Sequence, residues 1–475
     1  MANPIVTENQ NVGTTAWIAT NPNTYAIQGY VSACSVDPGG SLSVYASTSV
    51  ASVGYSMYIY RLGYYGGTGA RLMQTISGLT GQAQGYWDGS TLNNCPTAFS
   101  DSTTGLLEPR WASTYTLNIP SNWVTGVYII QFQTNPGYQS YTHFTVRCGP
   151  GTDYVISVPD MTYCAYNGWG GKSLYGFNST GGVAAVKDSF DRPDILNYGG
   201  AYLFRNDINF IKWVESQGYD VGYLSDVDIH VNGVSAITTH KAYLSLGHDE
   251  YWTFEERAAV EAARDAGIGL AFLGGNSCFV QMRLESGGQN GANRTAVVYR
   301  VAANDPQFGV DNTHVSVQWR QSPLYRPESA LIGIMYIDLT NGSNFPWQVS
   351  SNAISPLLAG TGLVTGQSYG TDVTGNEWDA VGLGSPGNLD IIGASPVTGA
   401  NFGVEIAHTT TYIGKGGAMV FAAGSIGFTW SLDPYRYNAS NVAVIPGMQQ
   451  LMAHIMTALI RPKQPTGFSA FSAHV

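Results

Sequence analysis

The stretch Ala242–Phe279, AYLSLGHDEYWTFEERAAVEAARDAGIGLAFLGGNSCF, decides the fold. It reads as a strand (AYLSLG), a polar cluster (His248, Asp249, Glu250), a helix, a second strand (IGLAFLGG) and a second polar end at Asn276. Thr253 stands where a helix N-cap belongs, Glu256 follows three residues later as a capping box requires, and Gly267 sits at the C′ position. Strands alternating with a helix in this way imply a parallel sheet. Ligands of open α/β sheets bind outside the carboxyl ends of the strands. If the two strands are neighbours, both polar clusters belong to one site. The plainer reading is that Asp249 and Glu250 only favour the N-terminal end of the helix that follows.

Working outward, YVISVP from Tyr154 is a further strand, and residues 206–226 (NDINFIKWVESQGYDVGYLSD) read as a helix ending near Gly218 and then a strand. The expected fold is mixed. Residues 1–24 form an N-terminal extension. An all-β sandwich spans 25–148, with strands such as SLSVYAST, SMYIYRLGYY and GVYIIQFQT punctuated by Gly, Pro, Asn and Ser. GPGTD (149–153) opens an α/β domain over 149–475 with a mainly parallel, flavodoxin/amidotransferase-like sheet and a β-rich insertion at about 285–400. A closing amphipathic helix ends at Pro462.

Composition narrows the function. Among 475 residues only 11% are charged, against roughly 25% in typical soluble domains. In their place stand 58 Gly, 30 Tyr and 11 Trp, a neutral, turn-rich, secreted-like mix. The net charge of −11 and the lack of a basic run argue against nucleic acid. No apolar run is long enough for a membrane span. The N-terminus lacks a signal-peptide pattern, so the expected extracellular location requires a signal removed before this chain begins; the alternative is cytoplasmic. Five cysteines show no metal spacing, and Cys34 and Cys95 could pair outside the cell. Asn178, Asn293, Asn341 and Asn438 head glycosylation triplets.

A third polar stretch follows the strand at Tyr154: DMTYCAYNGWGGKSLYGF (160–177). It is an aromatic-lined loop, a sugar-stacking surface, or the source of a tyrosine that acts as ligand or acid. Elsewhere Cys278 reads as a buried structural thiol. AAGSIGF lacks the first Gly of a nucleophile elbow, and Gly-rich GGTGARL precedes no helix.

The motifs GYYGGTGARL (63–72), WVTGVYIIQF (123–132), AYNGWGGKSLYGF (165–177), GHDEYW (247–252), GGN (274–276) and NEWDAVG (376–382) resemble, in order, the large subunit of N,N-dimethylformamidase and its relatives. That resemblance implies a small-amide hydrolase with one ferric ion, Fe(3+), per chain, held by two tyrosines and a glutamate. It implies Glu250 as the carboxylate, Tyr166 (with Tyr163 as rival) and Tyr128 as the phenols, and His248, Asn276 and Glu377 as catalytic groups. It also implies a small-molecule amide substrate, and a homo-oligomer or a small second subunit as partner. The donors are hard anionic oxygens suited to a hard cation. Two other readings stand beside it. One is a secreted carbohydrate-active or polysaccharide-binding protein, with Glu250, Glu377 or Asp249 as paired carboxylates. The other is a non-catalytic surface or assembly protein on the same fold.

Overall fold

The computed structural model describes residues 3–461 apart from 438, 440 and 441; Asn438 and Pro462 lie outside the described residues. The chain is mixed, with many strands in several sheets. Near the N-terminus, Ile27–Val31, Ser41–Thr48 and Tyr115–Asn118 form a three-stranded antiparallel sheet. A five-stranded sheet runs Ser35–Val36, Gln139–Val146, Gly126–Thr134, Gly54–Leu62, Ala70–Thr80.

Period-two alternation assigns the faces of Gly126–Thr134. Tyr128, Ile130 and Phe132 join Val44, Ala46 and Leu117 of the three-stranded sheet in one buried cluster. Val127 and Ile129 point the other way and pack with Ile208, Ile211 and Val214 of the helix Ile208–Ser216.

The largest sheet has seven strands, in the order Val221–Ser225, Tyr154–Val158, Ala242–Ser245, Gly269–Phe272, Met419–Ala422, Gly403–Ile413, Asp390–Gly399. The first five run parallel, and Gly403–Ile413 is antiparallel to both of its neighbours, Met419–Ala422 and Asp390–Gly399. Both faces are covered, so its central strands are buried throughout rather than alternating. Ala242 and Leu244 pack with the helices Ile208–Ser216 and Pro446–Leu459. Tyr243 packs on the opposite side with Ala259, Val260 and Ala263 of the helix Phe254–Asp265.

That helix begins as its sequence requires: Thr253 Oγ1 accepts from Glu256 N–H at 3.1 Å. The capping box is only half made. The Glu256 side chain is fully buried beneath the sheet and neither of its oxygens reaches back to the cap. Gly267, at φ 86°, terminates the helix. Cys34 and Cys95 do not pair; all five cysteines are free, and Cys278 is buried. Among the described residues no helix is long and apolar enough to cross a membrane.

Candidate functional site

Ala242–Ser245 and Gly269–Phe272 are hydrogen-bonded neighbours, so their carboxyl ends emerge side by side. The turns beyond them touch through backbone alone. A Cβ on Gly274 would lie 1.8 Å from the carbonyl oxygen of Gly247, and one on Gly247 would lie 1.8 Å from Asp207 Oδ1. This is close approach that only glycine permits. It brings His248 Nδ1 to 3.3 Å from Gly275 O. His248, Glu250 and Asn276 are each buried. Asp249 points elsewhere and accepts from Ser245 Oγ at 2.7 Å.

Two phenols meet Glu250. The helix Asp160–Tyr166 follows the strand Tyr154–Val158 and places Tyr166 Oη 2.6 Å from Glu250 Oε2. The chain then reverses through Trp169–Gly171, where Gly170 and Gly171 have φ of 74° and 77°. Tyr175 returns to donate to Glu250 Oε1 and Oε2 at 2.7 and 2.8 Å, its ring 4.4 Å from that of Tyr166. Arg300 lies 4.4 Å above the Tyr175 ring and donates to Leu174 O and Tyr251 Oη. Burial, and then the Glu250 charge, push both phenols well above their ordinary pKa. Arg300 works in the opposite direction on Tyr175. Glu250 is pulled below its usual range: burial raises it, but hydrogen bonding and charge from His248, then Arg300 and Tyr166, outweigh burial.

Glu377 closes the group from another element. It lies on Ser368–Ala380, which pairs with Met335–Gln348. Its Oε2 accepts from Asn276 Nδ2 at 2.7 Å and lies 3.8 Å from His248 Nε2, which is 3.5 Å from Glu250 Oε2. Asn276, at φ 54°, is fixed by its own N–H donating to Asp379 Oδ1 at 2.8 Å. Burial opposes the His248 cation, but Glu377 and Glu250 outweigh it and its pKa rises to about 9. A cavity of about 230 Å³ opens onto Tyr166, His248 and Glu377, with Tyr202, Arg205 and Phe177 on its walls.

Of the residues expected from sequence, Tyr166, Glu250, His248, Asn276 and Glu377 come together. Tyr128 does not. It lies on the face of Gly126–Thr134 that packs against the three-stranded sheet, donates to Val124 O at 2.7 Å and stacks on Trp123. A one-residue register shift would be needed to turn it toward the seven-stranded sheet. The rival Tyr163 is buried against His143 and donates to Asp207 instead. The second phenol at Glu250 is Tyr175, from the same 160–177 stretch as Tyr166. Arg300 carried no sequence signal. If the cluster holds a metal, Tyr175→Phe should lower its binding by about 100-fold or more, beyond the range for outer-shell partners. Tyr128→Phe should leave metal binding unchanged and cost about 1 kcal/mol for its lost hydrogen bond. Metal titration and urea denaturation of both variants test this, and equal metal affinity of the two proteins would refute the assignment.

The donor chemistry suits a hard trivalent cation. Two phenolates and one carboxylate would neutralise three positive charges in a buried site, and three protein donors leave positions open. Among the described residues, no group of three or more His, Cys, Asp and Glu could hold a metal. The donors here would be one carboxylate and two phenols.

No curated protein matches this chain. Among solved structures, a superoxide reductase (neelaredoxin) from Ignicoccus hospitalis is similar at 10% identity over 25% of this chain and 77% of that one, with a TM-score of 0.14. So low a score carries no argument. The family model described as N,N-dimethylformamidase beta subunit-like, C-terminal, matches residues 56–441, which include every residue of the cluster, and the chain belongs to that family.

Proposed function

We propose that this chain hydrolyses the C–N bond of a small amide at a ferric ion held by Tyr166, Tyr175 and Glu250. The convergence of buried Tyr166 and half-buried Tyr175 on the buried Glu250 carboxylate, with Tyr166 lining the cavity, carries this reading. Family membership supports it. A bound ferric ion would polarise the carbonyl and acidify a water. The chain's own groups supply the rest. His248, 3.8 Å from Glu377 and 3.5 Å from Glu250, donates toward negative charge developing on the carbonyl oxygen. Glu377 faces the cavity, takes a proton from the attacking water and returns it to the departing amine. Asn276 orients that carboxylate. The same reading takes the first two sheets as a sandwich over 25–148 and the parallel sheet as the α/β domain beginning at 149. It includes a second copy or a small second chain as partner, because the family is described as that of a beta subunit.

The paired-carboxylate reading fits less well. Glu377 lines the cavity but Glu250 does not, being enclosed by the two phenols. A glycosidase needs both carboxyl groups beside the scissile bond.

The test is iron content, the visible spectrum and hydrolysis of small amides. Near-stoichiometric iron, a broad phenolate-to-iron band and amine release are expected; an iron-reconstituted protein without band or turnover would refute the proposal. Glu377→Gln is expected to retain iron and the band while kcat falls by about 10²–10⁴-fold. Unchanged kcat would remove Glu377 from the mechanism. The raised phenols also set a pH dependence. Metal must displace two phenol protons, so occupancy should rise with pH between about pH 6 and 8 after correction for the chelator's own protonation. A flat profile would show that the phenols are not ligands.

A further inference from the structure

We infer that the cavity beside Glu377 takes a small amide that carries a carboxylate, and that Arg205 is the specificity-determining residue that binds it. This rests on the amidase reading for the fate of the amide, but not for its binding.

Arg205 lies on a π-helical turn, Leu203–Asp207, that leads into the helix Ile208–Ser216. Such turns insert an extra residue and recur at functional sites. The Arg205 main chain is pinned: its carbonyl accepts from Trp430 Nε1 at 2.9 Å and its N–H donates to Tyr202 O at 3.0 Å. Its side chain is exposed and lines the cavity. Most arginines of this chain are paired with a carboxylate, including Arg61, Arg147, Arg257, Arg294 and Arg320. Among the described residues Arg205 has no such partner. Its one side-chain hydrogen bond runs from Nη2 to Asn376 Oδ1, at 3.0 Å, next to Glu377. A guanidinium carries five N–H donors in a fork that matches a carboxylate, so most of its capacity is unused. It is also the one Lys or Arg among the residues lining this cavity.

A second observation comes from the next residue. Asn206 is 3% exposed, lines the same cavity, and its Oδ1 has no hydrogen-bond partner. The cavity thus offers a cation on the turn 203–207. Tyr166, His248 and Glu377 line the same cavity. The Glu377 charge repels a second carboxylate, which orients the ligand with its acid at Arg205 and its amide toward His248.

The test is calorimetric binding to the purified protein, using N-acetylglycine and succinamic acid, each against its neutral counterpart, N-acetylglycinamide and succinamide. At least one acid is expected to bind about tenfold or more tighter than its counterpart at neutral pH. Arg205→Ala should erase that difference and Arg205→Lys keep part of it. Equal binding of both acids and their counterparts, or no binding of any, overturns the inference. So does an Arg205→Ala variant that weakens acid and neutral ligand by one factor, because Arg205 would then only offset Glu377. Hydrolysis assays on iron-loaded protein separate the two proposals. An acid preference that Arg205→Ala erases, without cleavage of any amide, sinks the amidase reading and leaves this one standing. Cleavage of neutral amides without acid preference does the reverse.

Discussion

Glu250→Gln is expected to abolish both metal uptake and amide hydrolysis while leaving a folded protein. Glu250 is the one group on which both phenols converge, and Gln replaces it at almost the same volume. The variant removes the negative charge that a ferric ion needs and puts an N–H₂ donor where a carboxylate oxygen accepted two hydroxyls. Loss of a ligand charge should exceed the 10–100-fold cost of losing an outer-shell partner, so occupancy at micromolar iron should fall to background. The stability cost is smaller. The hydroxyls of Tyr166 and Tyr175 can rotate and accept from the new amide, so about 1–3 kcal/mol is lost. His248 responds too. It is held up near 9 by Glu377 and Glu250 together, and removing one carboxylate lowers it. Iron analysis, the visible band and urea denaturation on one preparation check all parts. A Glu250→Gln protein that retains stoichiometric iron would show that the carboxylate serves only to hold the phenols in place. Loss of the fold together with the iron would mean that Glu250 is primarily structural.

How much of this site could be read from sequence follows from what each residue depends on. His248, Glu250 and Asn276 stand at the ends of strands whose apolar runs and glycines are visible in the chain. Parallel order then puts such ends on one edge. Glu377 rides on a strand that crosses over from about 100 residues downstream to meet Asn276, and only family resemblance pointed to it. Tyr128 failed for a reason of period. A strand that buries both faces gives no clue as to which face a given tyrosine occupies, and Gly126–Thr134 is buried almost throughout. Tyr175 was missed because its position depends on two left-handed glycines that fold the loop back onto Tyr166, a reversal that residue spacing does not disclose. The N-cap of the helix after Thr253 was legible, but the second half of its capping box was not, since tertiary burial claimed Glu256. The π-helical turn at 203–207 left no local mark either, although it sets where Arg205 and Asn206 stand.

Glu215→Ala should destabilise the fold strongly, by about 3–5 kcal/mol. Glu215, on the helix Ile208–Ser216, and Arg61, on the strand Gly54–Leu62, form a bidentate pair with Oε1–Nη2 and Oε2–Nη1 separations of 2.8 and 2.9 Å. Both side chains are fully buried. Arg61 also donates to Thr125 O and Leu62 O, and Glu215 accepts from Tyr223 Oη at 3.0 Å and Asn9 Nδ2 at 2.7 Å. The pair therefore joins the N-terminal segment, the five-stranded sheet and the helix whose leading turn carries Arg205. Removing the carboxylate leaves a guanidinium that burial opposes and nothing of opposite charge offsets, and it breaks four hydrogen bonds at once. The desolvation cost of both ions is already met in the wild type, so the intact pair itself adds little net stability. That asymmetry gives the test its second arm. Replacing both residues with apolar ones, Arg61→Met with Glu215→Leu, should recover much of what Glu215→Ala loses, although Tyr223 and Asn9 then lack their acceptor. Urea denaturation of the two proteins and the wild type decides it. A single variant within about 1 kcal/mol of wild type would mean that water reaches Arg61, and that the helix bearing Glu215 is held to the five-stranded sheet by the apolar contacts of Val127 and Ile129 rather than by charge.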